Sequence, residues 1–367
     1  MNLPVDQVTL RRRSLRTVAY DASRSAGGLV LYAPQASAKA TLAELDGCIV
    51  HEWSLPTRPG RHAVLLANGN LGLNGAHAQR PDYYPAWDVW QGGLFLEITL
   101  DDRIVWSHED DLHHHDGRWL ANGNLLYTTA EPLPAEIGRR VLGGRPGASD
   151  IIVGDVVKEV DRSGETVWEW RSWEHIDPVA FPINPVFDRN HWPLINGLHL
   201  QDDGLVLMSL RTTSGIIAVD RKSGDIVWTI GPELLAQQHS PVGLSNGNVL
   251  AFDNGNYRPG IAVPYSRIVE IDPRTNTVVW EYSDPMKPSF FSPYMGSVQP
   301  LANGNLHITE SAMGRLFEVT RSGEVVWEYV VPEFNEYPAG GARTYAPGLH
   351  NSVFQSFRYQ HRDIPWL

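Results

Sequence analysis

Apolar and polar residues alternate in short runs along the chain, and the runs pair around polar turns. One phrase recurs six times: an alternating apolar strand, a polar turn that usually contains Gly, and a second strand that ends in Trp. KEVDRSGETVWEW and FEVTRSGEVVWEY are two of its copies. A second phrase, turned by Asn-Gly-Asn or Asp-Asp-Gly as in GRWLANGNLLYTT, follows each of the first five. Both phrases are typical of β-hairpins.

Two hairpins supply the four antiparallel strands of a propeller blade, so the repeats predict an all-β fold, a six-bladed β-propeller. We expect the strand within residues 27–35 and the closing HNSVFQSFRYQ to complete a blade and close the ring. The chain then divides into an N-terminal arm, residues 1–26, and one propeller domain, residues 27–367. The arm is either a solvated basic segment or the cover of a blade edge. The recurring Trp and Asn-Gly-Asn are interpreted as structural, in blade packing and in tight turns.

Composition narrows the classes of function. A net charge of −12 argues against a nucleic-acid binder. The single cysteine, Cys48, excludes an internal disulfide. No apolar run reaches the roughly 18 residues of a membrane span, and no apolar segment follows the N-terminal arginines as in a secretion signal. We therefore expect a cytoplasmic protein without nucleic-acid or membrane partners, and the oligomeric state stays open.

Strand direction places all the short hairpin turns at one end of the blades and the long connections at the other, where function is expected. Histidines recur on that second face. His115 and His239 each stand seven residues before the first Asn of their Asn-Gly-Asn turn. His62 stands six before its Asn, and His350 just precedes the last strand. Residues in one register of a closed repeat converge, so these four are predicted to meet near the central channel.

Further candidates come from the same face. Arg211 and Asn254 directly follow hairpins of this kind. Because neighbouring residues of a strand point to opposite sides, at most one of the histidines before His115 should join it, and His114 is expected at the rim. Aromatic residues of the long loops suit an aromatic small-molecule substrate, although they also cover apolar surface. The residues assigned to substrate binding are Trp192 and Tyr294 together with His62, His114, Asn254 and His350.

The chain resembles the arylsulfotransferase family over nearly all of residues 27–360, on QHSPVGLSNGNVLAFDNG, SLRTTSGIIAVDRKSGDIVW and FFSPYMGSVQPLANGNL. The resemblance implies a six-bladed propeller that moves a sulfuryl group from a phenolic sulfate ester to a phenol, with a histidine nucleophile and no nucleotide donor. It places the nucleophile at His239, a supporting histidine at His115 and a sulfate-binding arginine at Arg211. One departure stands out: the family's Trp-x-His-x-Asn pattern has Leu194 at the histidine position.

Three hypotheses follow. The first is a sulfotransferase-like enzyme that needs no cofactor. The second is a lyase or hydratase acting on an aromatic or sugar-acid substrate, with the channel histidines as acid and base. It works with or without a divalent metal, whose ligands would be His115, His239 and His350; the loss at Leu194 favours this hypothesis. The third is a non-enzymatic propeller that binds a protein or glycan, which fits a central histidine and arginine cluster least well.

Overall fold

The computed structural model describes residues 14–78, 83–84, 87–147 and 151–367. In the described part of the chain, strands dominate, and they form six antiparallel sheets of four or five strands, apart from one small extra pair. The strands in chain order are β1 (Arg16–Tyr20), β2 (Leu29–Tyr32), β3 (Lys39–Glu44), β4 (Ile49–Ser54), β5 (Pro59–Leu65), β6 (Leu71–Ala76), β7 (Gly93–Ile98), β8 (Ile104–Glu109), β9 (His113–Trp119), β10 (Leu125–Pro132), β11 (Gly143–Arg145), β12 (Val153–Val160), β13 (Thr166–Arg171), β14 (Ile183–Asp188), β15 (His191–Trp192), β16 (Ile195–Leu200), β17 (Leu205–Leu210), β18 (Gly215–Asp220), β19 (Ile226–Ile230), β20 (His239–Gly243), β21 (Val249–Asp253), β22 (Arg267–Asp272), β23 (Thr277–Tyr282), β24 (Ser297–Pro300), β25 (Leu306–Glu310), β26 (Arg315–Val319), β27 (Val325–Val330) and β28 (Phe357–Tyr359).

The six sheets are the six blades of the predicted β-propeller. Blade 1 has the order β28-β2-β3-β4, blade 2 is β5 to β8, and blade 3 is β9-β10-β12-β13, with β15 added beside β12. Blades 4 and 5 are β16 to β19 and β20 to β23, and blade 6 has the order β24-β25-β26-β27-β1. In blades 2 to 6 the Asn-Gly-Asn-type hairpin supplies the first two strands, and the first strands of neighbouring blades contact one another, as β9, β16 and β20 do.

Helical segments are short and lie in the connections. The α-helices are α1 (Trp87–Trp90), α2 (Ala135–Gly138), α3 (Ser172–His175) and α4 (Gly341–Tyr345), and the 3-10 turns are Lys287–Ser289, Ser311–Met313 and His361–Asp363. No helix in the described ranges is long and apolar enough to cross a membrane.

Both ends of the chain join the ring. The C-terminal strand β28 pairs antiparallel with β2, with Val30 opposite Arg358, and this confirms the predicted closure. Strand β1 pairs with the outer strand β27 of blade 6. The N-terminal segment therefore covers a blade edge with residues 16–20, which removes unpaired backbone groups from that edge. The arginines at positions 11–13 lie outside the described residues.

The recurring Trp and Asn-Gly-Asn residues hold turns and blades together, as interpreted. Gly69 and Gly123 have φ of 85°, the left-handed conformation that follows a tight turn. Trp106 Nε1 donates to the carbonyl oxygen of Arg162 in the next blade at 2.9 Å. Trp327 is fully buried between blades 6 and 1 and donates to the carbonyl oxygen of Leu45 at 2.7 Å.

Candidate active site

A cavity of about 260 Å³ lies where the long connections meet the first strands of the blades. Five residues singled out from the sequence line it together: His115, Arg211, His239, Tyr294 and His350. They come from blades 3, 4 and 5 and from the connections around blade 6. The registered histidines of blades 3 and 5 therefore converge, as the repeat geometry predicts.

The first strands bulge where they reach this cavity. In β9, the three residues from His114 to Asp116 face only Thr128 of β10. His115, the middle residue of this bulge, has φ of 62°. Extra residues re-aim side chains, and a left-handed conformation costs a non-glycine residue about 1 kcal/mol or more. The side chains around His115 therefore do not alternate between the two faces of the strand. The expectation that neighbouring residues point to opposite sides does not hold at this bulge.

Asn254 fixes the proton on the His239 ring. The Asn254 Nδ2 group donates to the carbonyl oxygens of Ser292 at 2.9 Å and Met295 at 2.6 Å, so its Oδ1 must face the ring. His239 Nδ1 lies 2.7 Å from that Oδ1 and has to donate. The lone pair of the neutral ring is therefore on Nε2, which makes Nε2 the nucleophilic or basic atom.

The surroundings of His239 keep its ring neutral. Burial and, to a smaller extent, the positive charge of Arg211 lower the pKa of His239 to about 3, against the opposing effect of the Asn254 hydrogen bond. At neutral pH almost every molecule then carries the Nε2 lone pair. The group is available as a nucleophile without first losing a proton.

Two buried guanidinium groups line the same cavity. Arg61 Nη1 donates to the carbonyl oxygens of Gly60 at 3.0 Å and Val89 at 3.1 Å. Its Nε and Nη2 are buried without a hydrogen-bond partner among the described residues. Burial lowers the pKa of Arg61 to about 9 and also lowers that of Arg211. Such unmet donors are suited to an anionic ligand with several oxygens.

Arg61 is a site residue that the sequence-based prediction missed. The three residues Gly60 to His62 of β5 face only Asn74, so Arg61 is the middle residue of a bulge, as His115 is in β9. It stands seven residues before Asn68, the spacing that selected His115 and His239. The prediction took the next residue, His62, because it is a histidine like His115 and His239.

His62 does not line the 260 Å³ cavity, which corrects its predicted place. It borders a second cavity of about 510 Å³, which extends along the hairpin turns of blades 2 and 3. Its ring stacks on Phe354 with centroids 5.9 Å apart, and its Nδ1 lies 3.9 Å from Asp116 Oδ1. Burial lowers its pKa well below the ordinary value.

His114 is fully buried rather than at the rim, which corrects a second expectation. Its Nδ1 lies 2.8 Å from Nδ1 of His115, because the bulge turns the two neighbouring rings toward each other. His113 has a different role. It contacts the Thr128 carbonyl oxygen at 2.5 Å and accepts from Asn74 at 3.0 Å, which ties blade 3 to blade 2.

His114 belongs to a buried cluster of three side chains that could each offer one metal-ligand atom: His114, Asp155 and His191. These three atoms lie within 4.8 Å of one another. Asp155 Oδ1 is 3.0 Å from His114 Nε2 and 3.1 Å from His191 Nε2. The same oxygen accepts from the backbone N–H of Ile195 at 2.9 Å. His191 and the backbone N–H groups make hydrogen bonds to Asp155, whereas His114 Nε2 lies at hydrogen-bond distance with its N–H off the line to the oxygen. Within the described residues, the side chains close enough together to share a metal are therefore His114, Asp155 and His191. They are not His115, His239 and His350, the three predicted as metal ligands.

The relationship to known proteins can be stated with this geometry in view. The family profile described as Arylsulfotransferase (ASST) matches residues 75–331, which is most of the chain. The chain belongs to the arylsulfotransferase family. No curated protein sequence matches it.

Several solved structures are similar to this arylsulfotransferase-family chain at low sequence identity, and of the three that follow only the first bears on the fold. A protein of unknown function from Bacteroides caccae is 16% identical, with a TM-score of 0.53 over 83% of this chain and 93% of its own. A streptogramin B lyase is 12% identical, with a TM-score of 0.49 over 88% of this chain and 91% of its own. A catalytically inactive virginiamycin B lyase from Staphylococcus aureus with quinupristin is also 12% identical, with a TM-score of 0.49 over 89% and 92%. The first of these likenesses concerns the fold alone.

The family's Trp-x-His-x-Asn segment lies at the start of blade 4. Trp192 is fully buried in the apolar core and donates from Nε1 to the Phe181 carbonyl oxygen at 2.8 Å, so it does not line the cavity, contrary to its predicted substrate role. Leu194 is buried in a neighbouring pocket that it shares with Arg211. Its backbone N–H donates to Asp155 Oδ2 at 2.7 Å. In this chain the segment contributes a backbone donor at the position where the family pattern has an imidazole.

Proposed function

We propose that this protein transfers a sulfuryl group from an aryl sulfate ester to a phenol, with His239 Nε2 as the nucleophile and without a nucleotide donor. One observation carries the proposal: the oriented, neutral His239 ring shares a cavity with the two buried cations Arg61 and Arg211. An aryl sulfate carries one negative charge and three terminal oxygens. Two fixed guanidinium groups stabilise such an anion better than water does.

In the first step, the Nε2 lone pair of His239 attacks the sulfur atom. The bond between sulfur and the aryl oxygen breaks, its electron pair leaves on a phenolate, and an N–S bond forms. Arg61 and Arg211 hold the terminal oxygens. The bound anion also offsets the positive charge of Arg211, which otherwise contributes to the low pKa of His239.

In the second step, the acceptor phenol attacks the sulfur. The phenol loses its proton to a base, its oxygen forms the new S–O bond, and the N–S bond returns its electron pair to His239 Nε2. His115 is the base in this proposal because its ring lines the same cavity. Tyr294, Tyr337 and Tyr345 also line the cavity and form the aromatic wall against which a phenol would pack.

The experiment follows nitrophenol release from p-nitrophenyl sulfate by the wild-type protein, with the metal content determined on the same sample. Without acceptor we expect a burst of one nitrophenol per protein, and with a phenol we expect turnover. The peptide that contains His239 should gain one SO3 group during the burst. His239→Ala should abolish both phases, whereas His361→Ala, at an exposed histidine, should keep them.

Absence of any release from folded wild-type protein would refute the proposed reaction. A burst that persists in His239→Ala would retain the reaction but move the nucleophile to another residue.

A further inference from the structure

A row of buried polar side chains, here called the file, leads from the cavity into blade 3. His115 lines the cavity, its Nδ1 meets Nδ1 of His114, and His114 Nε2 lies 3.0 Å from Asp155 Oδ1. All three side chains are buried, and Asp155 is fully so. Asp155 is on β12, two strands away from His115, and it is not among the residues that line the cavity.

The protons along this file follow from the charge of Asp155. Burial alone would raise the pKa of Asp155, but His191 and the hydrogen bonds from both histidines hold it below the ordinary value. The backbone N–H groups of Leu194 and Ile195 also donate to this carboxylate, at 2.7 and 2.9 Å. Asp155 is therefore ionised and can only accept.

The remaining tautomers are then determined. A lone pair on His114 Nε2 would be repelled by a carboxylate oxygen at 3.0 Å, so Nε2 carries the proton, although its N–H lies off the line to the oxygen. Burial lowers the pKa of His114 to about 4, so the ring is neutral and its Nδ1 is an acceptor. His115 must donate from Nδ1 across the 2.8 Å contact, which leaves the lone pair on His115 Nε2.

We propose that Asp155, acting through His114, is a positioning residue that holds His115 in the Nδ1–H tautomer, with Nε2 as the base that takes the acceptor's proton. This inference rests on the proposed function. When the phenol gives its proton to Nε2, the positive charge on His115 faces the His114 lone pair and, behind it, the carboxylate. In the next cycle, His115 Nε2 gives this proton to the phenolate that leaves the new donor molecule.

The other half of the cluster orients Asp155 without joining the file. His191 Nε2 donates to Asp155 Oδ1 at 3.1 Å, and its Nδ1 is 2.9 Å from the Tyr84 hydroxyl. Tyr84 therefore offers a matched control. Tyr84→Phe removes one hydroxyl from the same buried cluster but leaves the contacts from Asp155 to His114 and from His114 to His115.

The test compares Asp155→Asn with the wild type and with Tyr84→Phe in both half-reactions. Asparagine lacks the charge that keeps the His114 proton on Nε2, so His115 can present an N–H to the cavity. We expect the burst with p-nitrophenyl sulfate to stay within about threefold of wild type, because that step needs no base. Transfer to a phenol that is un-ionised at the assay pH should fall by about 10²- to 10⁴-fold. Tyr84→Phe should keep both steps.

A series of acceptors separates this role from a structural one. Phenols that are already ionised at the assay pH need no base, so Asp155→Asn should transfer to them at nearly the wild-type rate. A merely distorted site would lose both classes of acceptor alike. Should Asp155→Asn not fold, 15N spectra of the wild type, assigned with His115→Gln, should show His115 Nε2 as the nitrogen without a proton.

The outcomes distinguish the two proposals. A wild-type protein without a burst defeats the proposed function itself. A wild-type burst together with equal losses for ionised and un-ionised acceptors in Asp155→Asn overturns only the positioning role. So does a His115 Nε2 that carries the proton, or a stoichiometric metal that disappears in Asp155→Asn, since a metal would occupy the ring nitrogens.

Discussion

Arg61 combines full burial with hydrogen-bond donors that the described residues do not meet. A buried charge without compensation lowers stability unless a ligand supplies the missing partner. Arg358 also has a buried Nε without a hydrogen-bond partner among the described residues, but its charge is paired, because its Nη1 lies 3.0 Å from Oε2 of the buried Glu318. Under the proposed function, Arg61 is a cation kept for binding and Arg358 is one kept for structure.

Arg61→Met is therefore expected to leave the free energy of unfolding unchanged or to increase it, while sulfuryl transfer falls by about 10²- to 10³-fold. Arg358→Met should instead lose about 3–5 kcal/mol of stability because it leaves the buried Glu318 carboxylate without its cationic partner. Urea denaturation and initial rates on both variants provide the test. A destabilised but active Arg61→Met protein would contradict the assignment.

At the level of the residue, the spacing within the repeat predicts the right position in blades 2, 3 and 5, but the type of side chain misleads in blade 2. The interval of seven residues selects His115 and His239, and it also selects Arg61, whereas His62 was chosen for its imidazole. The bulge in β9 was not visible from the pattern, so the neighbouring His114 was expected to point away from His115. Asp155 carries no sequence signal of its own, because it stands in an ordinary strand register.

At the level of the element, the Asn-Gly-Asn turns do more than reverse the chain. Both Asn68 and Asn70 donate to Glu97 Oε1, at 2.8 and 2.7 Å. Arg162 from the next blade binds Glu97 Oε2 at 2.5 Å and lies 4.5 Å from the Trp106 ring centre. The turn, the glutamate and the arginine thus form a latch between consecutive blades.

The latch repeats, which explains several recurring residues at once. Blade 3 and blade 5 use the same arrangement, with Glu159 or Glu270 as the acceptor. Arg221 and Arg321 are the arginines that reach these glutamates from blades 4 and 6. The glutamate and arginine stand at fixed places in the repeated phrases, so their signal was present in the sequence beside the more conspicuous Trp and Asn-Gly-Asn.

Glu97→Gln should lower the free energy of unfolding by about 1–3 kcal/mol, because it removes the charge from three buried or half-buried hydrogen bonds. The rate of sulfuryl transfer per folded molecule should not change. Asp101→Asn is the control, since Asp101 pairs with Arg103 within one exposed turn and such pairs contribute about 0–1 kcal/mol. Equal stability of the two variants in urea denaturation would argue against the latch.

At the level of the whole molecule, the propeller buries an unusual number of imidazoles. Burial is the main cause that lowers the pKa of eight histidines: His62, His108, His113, His114, His115, His199, His239 and His307. In the unfolded chain these groups take up protons below about pH 6.5, but in the folded protein they do not. The unfolded state therefore binds more protons in that range, and stability decreases as the pH falls.

We expect the free energy of unfolding to be largest above pH 7 and to drop steeply from about pH 6.5 downward, well before most carboxylates titrate near pH 4. Urea denaturation at pH 7.5, 6.5 and 5.5, with proton uptake measured on unfolding, provides the test. A curve that stays level between pH 7.5 and 5.5 would show that these rings are protonated in the folded protein.

The sequence by itself determined the repeat, the number of blades, the closure of the ring and the face on which the site lies. These properties depend on local alternation and turn chemistry, which are the same in every blade and are therefore read from short segments. The tertiary structure decided which side chains enter the cavity. Bulges shift the direction of single residues, and partners such as Asn254 and Asp155 contact His239 and His114 across strands, where sequence distance carries no information.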